Sequence, residues 1–374
     1  MTGALPLLLC WLHSVPEAQA TEITGWVSPQ WGAIYRPQAR PEDQFEYGMQ
    51  MARVGFHFSG EPLENWSYVA YTVLGVDRID AVTGVTPVDT DNDGTTDTIS
   101  TTTSSAVASQ VREATLRWTP LDILELRLGR MRIPFSSQAQ SPDTALMFPQ
   151  RSGPNDSFLK GTDLGGLLVA HVGEEHLVAR IGAFNGTGVV AGTAPQRGVL
   201  YSARVDINPL GGFSLDESGP GIGPLRIGVG AGALYRPYTT FDSAGYEDVS
   251  VQDLRLSTSL RMAFLGLHIQ AEGLYRQQTD SLTQRPVQTA GAYGQAGWYF
   301  PIGVEPAARV GWVSEDRSFS PREVQWVEVG VNYYPYRDEE PADRLKLTLL
   351  YLGEDRITEG EQAHGLSGAL QLKF

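Results

Sequence analysis

Apolar side chains alternate with polar or small ones in sixteen segments of about ten residues, running from 23–35 to 364–374. Period two is the signature of an extended strand whose two faces meet different surroundings. In one such segment Leu345, Leu347, Leu349 and Tyr351 fall on one side, with Arg344, Lys346 and Thr348 on the other. In another, Leu254, Leu256, Leu260, Met262 and Phe264 oppose Asp253, Arg255, Ser257, Ser259 and Arg261. So many apolar faces cannot cover one another in a single sandwich of this length. No apolar run reaches the ~20 residues of a membrane helix, which leaves strands to carry apolar surface into lipid. The expected fold is all-β, a 16-stranded antiparallel transmembrane β-barrel, closed so that no strand edge is left unpaired.

The connections support this reading. Short ones at 61–65, 120–122, 173–176 and 265–266 alternate with long ones such as 79–106, which is acidic, and 136–160. Barrels of the bacterial outer membrane have this asymmetry, with short periplasmic turns, long external loops and both termini on the periplasmic side. Two expected turns, 209–223 and 335–343, are longer than that rule prefers. At the chain end Leu366, Gly368, Leu370, Leu372 and Phe374 occupy every second place. That ending resembles the C-terminal signal read by the barrel assembly machinery of Gram-negative bacteria.

Residues 1–20 read as a signal peptide, since an apolar stretch from Ala4 to Leu12 leads to Ala18-Gln19-Ala20 and cleavage is expected after Ala20. No base precedes the apolar stretch, which suggests a start codon upstream. Cys10, the only cysteine, lies within the leader, so the barrel domain at 21–374 has no disulfide. Acids outnumber bases 43 to 28, and removing Glu17 with the leader leaves a net charge of −14. Without basic runs, a nucleic-acid partner is not expected.

The stretch 126–186 is the most distinctive. It contains Gly129-Arg130-Met131-Arg132-Ile133-Pro134-Phe135, then Phe148-Pro149-Gln150-Arg151-Ser152, then Gly161-Thr162-Asp163-Leu164-Gly165, then Phe184-Asn185-Gly186. These motifs resemble the phosphate-selective porin O/P family. The resemblance implies an outer-membrane porin, a homotrimer in lipid, passing small anionic or polar solutes, with its third external loop folded inward as a constriction. By position that loop is 136–160, with Arg130 and Arg132 at its mouth and Arg151 and Lys160 within it. The chain has only three lysines, Lys160, Lys346 and Lys373, against the lysine cluster the family's phosphate selectivity implies.

If the apolar face of each strand meets lipid, the other lines the pore. That rule places thirteen bases inside, Arg53, Arg261, Arg276, Arg344, Lys346 and Lys373 together with Arg117, Arg127, Arg180, Arg204, Arg226, Arg255 and Arg309. The last seven form the expected anion path. Against them stand eight acids, Glu113, Glu125, Asp163, Asp206, Asp253, Glu272, Glu305 and Glu328. A positive lumen favours anions, and the planar fork of Arg suits oxyanions. The alternative is that the arginines pair with these acids and brace the wall. Gly129 is expected to break the strand register, leaving the facing of Arg130 and Arg132 open.

No cofactor is required by any of this. Residues 89–97 place Asp89, Asp91, Asp93 and Asp97 at the first, third, fifth and ninth positions of a loop with Gly94 sixth, a spacing that wraps oxygens around Ca²⁺. Ser100 stands where an EF-hand supplies glutamate and no helices are expected to flank the segment, so the alternative is a solvated acidic loop. The histidines His57, His171, His176, His268 and His364 are scattered and fit no hydrolase motif, so no enzyme is expected. A surface receptor, an adhesin or a barrel hydrolase with little open pore is the alternative class.

Overall fold

Every alternating segment forms a strand. The first arc comprises β1 (Glu22–Tyr35), β2 (Phe45–Leu63), β3 (Trp66–Val76), β4 (Ala108–Leu121) and β5 (Leu124–Arg132). It continues through β6 (Thr162–Val172), β7 (Leu177–Phe184), β8 (Leu200–Ile207), β9 (Arg226–Phe241) and β10 (Glu247–Phe264). The circle is completed by β11 (Leu267–Asp280), β12 (Pro286–Trp298), β13 (Val304–Asp316), β14 (Arg322–Tyr333), β15 (Leu345–Arg356) and β16 (Glu361–Lys373). This computed structural model describes residues 21–39, 44–76, 84–88, 97–101, 108–158, 161–186, 196–219, 223–241, 247–282, 284, 286–316, 322–336 and 343–374.

Neighbours in chain order pair antiparallel, and β1 pairs with both β2 and β16, which closes the sheet into a sixteen-stranded barrel. Gly25 and Phe374 exchange both backbone hydrogen bonds at 2.8 Å, so the terminal residue belongs to the closing ladder. The Phe374 ring meets Phe56 edge-on at 6.4 Å. Deleting Phe374 removes two ladder bonds and a ring contact. The truncated chain is expected to yield less of the heat-modifiable folded form on cold SDS gels of the membrane fraction; wild-type levels would refute this.

Burial is inverted relative to a water-soluble protein. Leu349 is 59% exposed and Val310 57%, while Glu305 is 0% and Arg204 1% exposed. Apolar side chains on the outer face gain only where hydrocarbon replaces water, so this surface is built for lipid. Trp298 and Phe300 stack on the outer face at 5.7 Å near the short-turn end, as Trp66 and Trp118 do at 5.8 Å, in keeping with an interfacial girdle. Trp26, Tyr299 and Tyr334 are buried.

Local features modify a strict period-two reading. β9 and β10 run for 16 and 18 residues, through Pro237, so this hairpin is taller than the lipid requires. The β4–β5 ladder passes through Gly129 without a shift, pairing it with Thr115. Its φ of +127° excludes a side chain, and a Cβ would meet the Ala114 carbonyl at 2.1 Å. The register breaks on β4 instead: Tyr71 pairs with Glu113 and Thr72 with Val111, leaving Arg112 as the extra residue of a bulge. In the long 79–106 connection, Gly84–Val88 pairs with Asp97–Thr101 as a separate hairpin. Asp89, Asp91 and Asp93 lie outside the described residues, and only the backbone of Asp97 is described.

Candidate functional site

Pro134 stops β5, and the chain turns into the barrel. Phe135 is wholly buried, and its carbonyl accepts from Arg204 Nη1 on β8 at 2.8 Å and Ser257 Oγ on β10 at 2.7 Å. Ser136 caps a short helix α1 (Ser137–Gln140), its Oγ accepting from the Ala139 amide at 3.0 Å. The amides of Ser137 and Gln138 point at the Glu272 carboxylate on β11, which also accepts from Asn155 Nδ2 at 3.2 Å. Asn155 belongs to a second helix, α2 (Gly153–Phe158). Between the helices, the carbonyls of Leu146 and Met147 accept from Lys346 Nζ on β15 at 2.6 and 3.1 Å. Arg309 on β13 donates to the carbonyls of Gln150 and Arg151, pairs with Glu328, and lies 4.5 Å over the Phe148 ring. The segment is therefore seated against the β8–β16 side of the lumen by its own carbonyls and amides.

A second segment enters from the opposite end. The connection between β8 and β9 is too long for a tight turn, and Glu217 within it is only 4% exposed. Glu217 Oε2 accepts from Gln295 Nε2 at 2.9 Å, the Met147 amide at 3.2 Å and Gln138 Nε2 at 3.3 Å, while its own amide donates to the Ala145 carbonyl at 2.8 Å. Ser141 Oγ donates to the Leu215 carbonyl at 2.8 Å, and Ser218 Oγ accepts from Lys346 at 3.1 Å. Loop and turn thus meet in mid-barrel through one buried carboxylate.

The β1–β5 side keeps its space. A cavity of about 370 Å³ toward the loop end is lined by Arg53, Arg112, Arg132 and Arg151 with Asp143 and Asp156. Another of about 690 Å³ toward the turn end is lined by Trp26, His57, Tyr71, Arg132, Asp143 and Arg344 among others. Tyr71, Arg132 and Asp143 line both and so mark the neck. Arg151 donates to Asp143 Oδ1 at 2.7 Å and to the Ser141 carbonyl at 2.7 Å, folding the loop back on itself. Burial pushes the Asp143 carboxyl upward, but the guanidiniums of Arg151, Arg132 and Arg112 outweigh it and hold the group well below the usual carboxylate range. Its contribution to stability is present above the ordinary carboxylate pKa and is lost only as pH falls through the lowered value. The clamp is expected to survive at about pH 3, where an ordinary aspartate with a pKa of about 3.9 is mostly protonated; the check is the single-channel current there against that at neutral pH, and a change already complete near pH 4 would refute it.

The seven arginines of the expected path do face inward on their strands, but six of them are paired with acids. Arg117 pairs with Glu113 at 3.1 Å, Arg127 with Glu125 at 2.7 Å and Arg255 with Asp253 at 2.6 Å. Arg180 and Arg204 share Asp206, and Arg309 holds Glu328. Arg226 donates to the Leu210 carbonyl. Arg204 and Arg309 also lie beneath the loop, away from the open side. Of the loop-mouth group, Arg132 reaches the neck and Arg151 the loop-end cavity, Arg130 donates to Thr162 Oγ1 at 3.0 Å, and Lys160 lies outside the described residues. Sequence periodicity misses Arg112 because it shares the parity of the lipid-facing Leu116. The β4 bulge brings it to the lumen, and nothing in the sequence signals that bulge.

No family model matches the sequence, and no curated protein does. Solved structures do resemble the fold. An anion-selective porin from Comamonas acidovorans superposes with a TM-score of 0.59 at 10% identity, over 95% of this chain and 99% of that one. The outer-membrane channel DcaP of Acinetobacter baumannii gives 0.59 at 12% identity, over 95% and 98%. The trimer form of OmpT, an outer-membrane protein of Vibrio cholerae, gives 0.58 at 9% identity, over 95% and 100%. At these identities the likeness is one of architecture, and the chain has the barrel fold that outer-membrane porins and channels use.

Proposed function

We propose that this protein is a porin in the outer membrane of a Gram-negative bacterium, a water-filled channel that passes small hydrophilic solutes and prefers anions. The observation that carries the reading is the one-sided lumen. Loop 136–158 occupies the β8–β16 side, where the inward arginines are neutralised by partners, and along the remaining space Arg53, Arg112, Arg132, Arg151, Arg344 and Lys373 outnumber Glu22, Glu113, Asp143 and Asp156. Charge at the narrowest part of a pore decides which ions enter it, so these bases matter more than the acidic total. The loop acts as the constriction. The motifs that resemble those of the phosphate-selective porin O/P family favour an oxyanion, while the scarcity of lysine argues against phosphate as the preferred one. The anion-selective and trimeric proteins that share the fold support anion preference and a homotrimer for this chain.

A planar bilayer with a KCl gradient tests the proposal. A steady current with a reversal potential of anionic sign, weak to moderate in size, is the expected result. Cation preference would overturn it. The absence of steady current would favour the second reading, a surface receptor or adhesin, for which the two infolded segments supply a plug. A hydrolase reading would require an activity lost on replacing one histidine.

We further propose that Asp89, Asp91, Asp93 and Asp97 order the external hairpin around Ca²⁺, with affinity on the order of 10⁻⁴ to 10⁻³ M as in extracellular modules. Calorimetry should show a Ca²⁺ heat that disappears in the double variant Asp91→Ala, Asp93→Ala. An unchanged heat removes the site. Cleavage after Ala20 would make Thr21 the first residue of the mature chain, which N-terminal sequencing reads directly.

A further inference from the structure

The two cavities differ in chemistry, and their shared neck joins the difference. Toward the loop end the lining is dominated by guanidinium groups. Toward the turn end one part of the wall is aromatic, with Trp26, His57 and Tyr71 on the adjacent strands β1, β2 and β3, while Glu22, Glu113 and Asp143 elsewhere in the lining are matched by Arg132, Arg344 and Lys373. Gly55 allows this wall to exist, because a Cβ there would stand 2.2 Å from Trp26 Nε1, so the indole lies flat against bare backbone. Trp26 Nε1 donates to the Tyr71 hydroxyl at 3.1 Å, and the His57 and Tyr71 rings lie 6.5 Å apart. Rings fixed in this way lose little freedom when a ligand settles on them.

The polar half is equally ready. Arg132 spends one N–H on the Gln140 carbonyl at 2.9 Å and has no other protein acceptor among the described residues. Arg112 Nε is buried with no acceptor among them, a donor that is costly to leave unmade. Asp143, the acid of the neck, is already clamped by Arg151.

From this arrangement we infer that the neck is a binding site for small carboxylates with a flat apolar body, of which benzoate is the simplest probe, in preference to inorganic phosphate. The carboxylate meets Arg112 and Arg132, and the ring enters the larger cavity beside Trp26 and Tyr71. The inference rests on the porin reading and names its solute class. Phosphate gains nothing from the aromatic wall and must give up more hydration to pass it. Acetate has the charge without the ring and isolates the wall's contribution. An aromatic contact of this kind changes affinity by roughly three- to tenfold.

The experiment measures block of the chloride current by benzoate, acetate and phosphate in one bilayer, with calorimetry of the same three anions on the detergent-solubilised protein. Benzoate is expected to half-block at a concentration roughly three- to tenfold below acetate and below phosphate. Trp26→Leu should erase the advantage over acetate, and Arg132→Gln should weaken both carboxylates, each checked for a heat-modifiable barrel. Equal potency of benzoate and acetate, phosphate as the strongest blocker, or an undiminished benzoate advantage in Trp26→Leu would overturn the inference while leaving an anion-preferring porin intact. Cation preference in KCl would instead bring down the anion preference, absence of steady current would bring down the porin reading, and in either case calorimetry would still decide whether benzoate binds.

Discussion

Replacing Arg112 and Arg132 together by glutamate is expected to reverse the sign of the reversal potential, from anion- to cation-preferring. Both side chains line the loop-end cavity, and Arg132 also lines the neck. One unit charge about 5 Å from a permeating ion contributes about 0.8 kcal/mol in a water-like dielectric, close to a fourfold change in local concentration. Two reversals shift the local charge by four units, more than enough to change the sign even after screening by salt. Arg204→Gln is the contrasting variant, because Arg204 is sealed beneath the loop and bound to Asp206, so it should disturb folding before selectivity. An anionic reversal potential in the double glutamate variant, with the barrel folded, would show that the path lies elsewhere.

Glu217→Ala should have the other large effect, on the steadiness of the pore. The carboxylate receives three N–H donors from the loop and the β12 wall, and alanine strands them in a buried place. Leaving a buried donor without its acceptor costs about 1–3 kcal/mol, so stranding several together is a large loss. The loop should then sample positions away from the β8–β16 wall. Open-channel current noise should rise, and the folded form should convert on SDS gels at a lower temperature. Glu217→Gln is expected to be mild. Only Oε2 takes the three bonds, Oε1 has no partner among the described residues, and an amide oxygen can replace Oε2 while the amide NH2 takes the other side. If alanine and glutamine behave alike, the acceptor is not what holds the loop.

The strands were legible because lipid on one side and water on the other force period-two alternation, and all sixteen lie where alternation puts them. Leu254 and Leu256 face outward while Asp253 and Ser257 are buried within, as the pattern requires. Alternation tells which face a side chain takes but not what it meets there. Arg204 and Arg309 point inward as expected and are consumed by Asp206 and Glu328 together with the loop's carbonyls, contacts made across 69 and about 160 positions of sequence. Arg112 was hidden by a bulge, which changes parity without a marker residue. The 209–223 turn did carry a signal in its excess length. Nothing in its composition told that Glu217 would reach the centre of the barrel.

The Gly25–Phe374 pair also bears on the order of events in assembly. Its two hydrogen bonds join the first strand to the last residue of the chain, so the seam is the contact with the greatest separation along the sequence. Until that seam zips shut, β1 and β16 each present a row of unmet backbone groups, which hydrocarbon does not tolerate. Closure thus needs all sixteen strands in place. A chaperone or template that covers the open edge of β1 until the C-terminus arrives would remove the main kinetic hazard of making this cylinder.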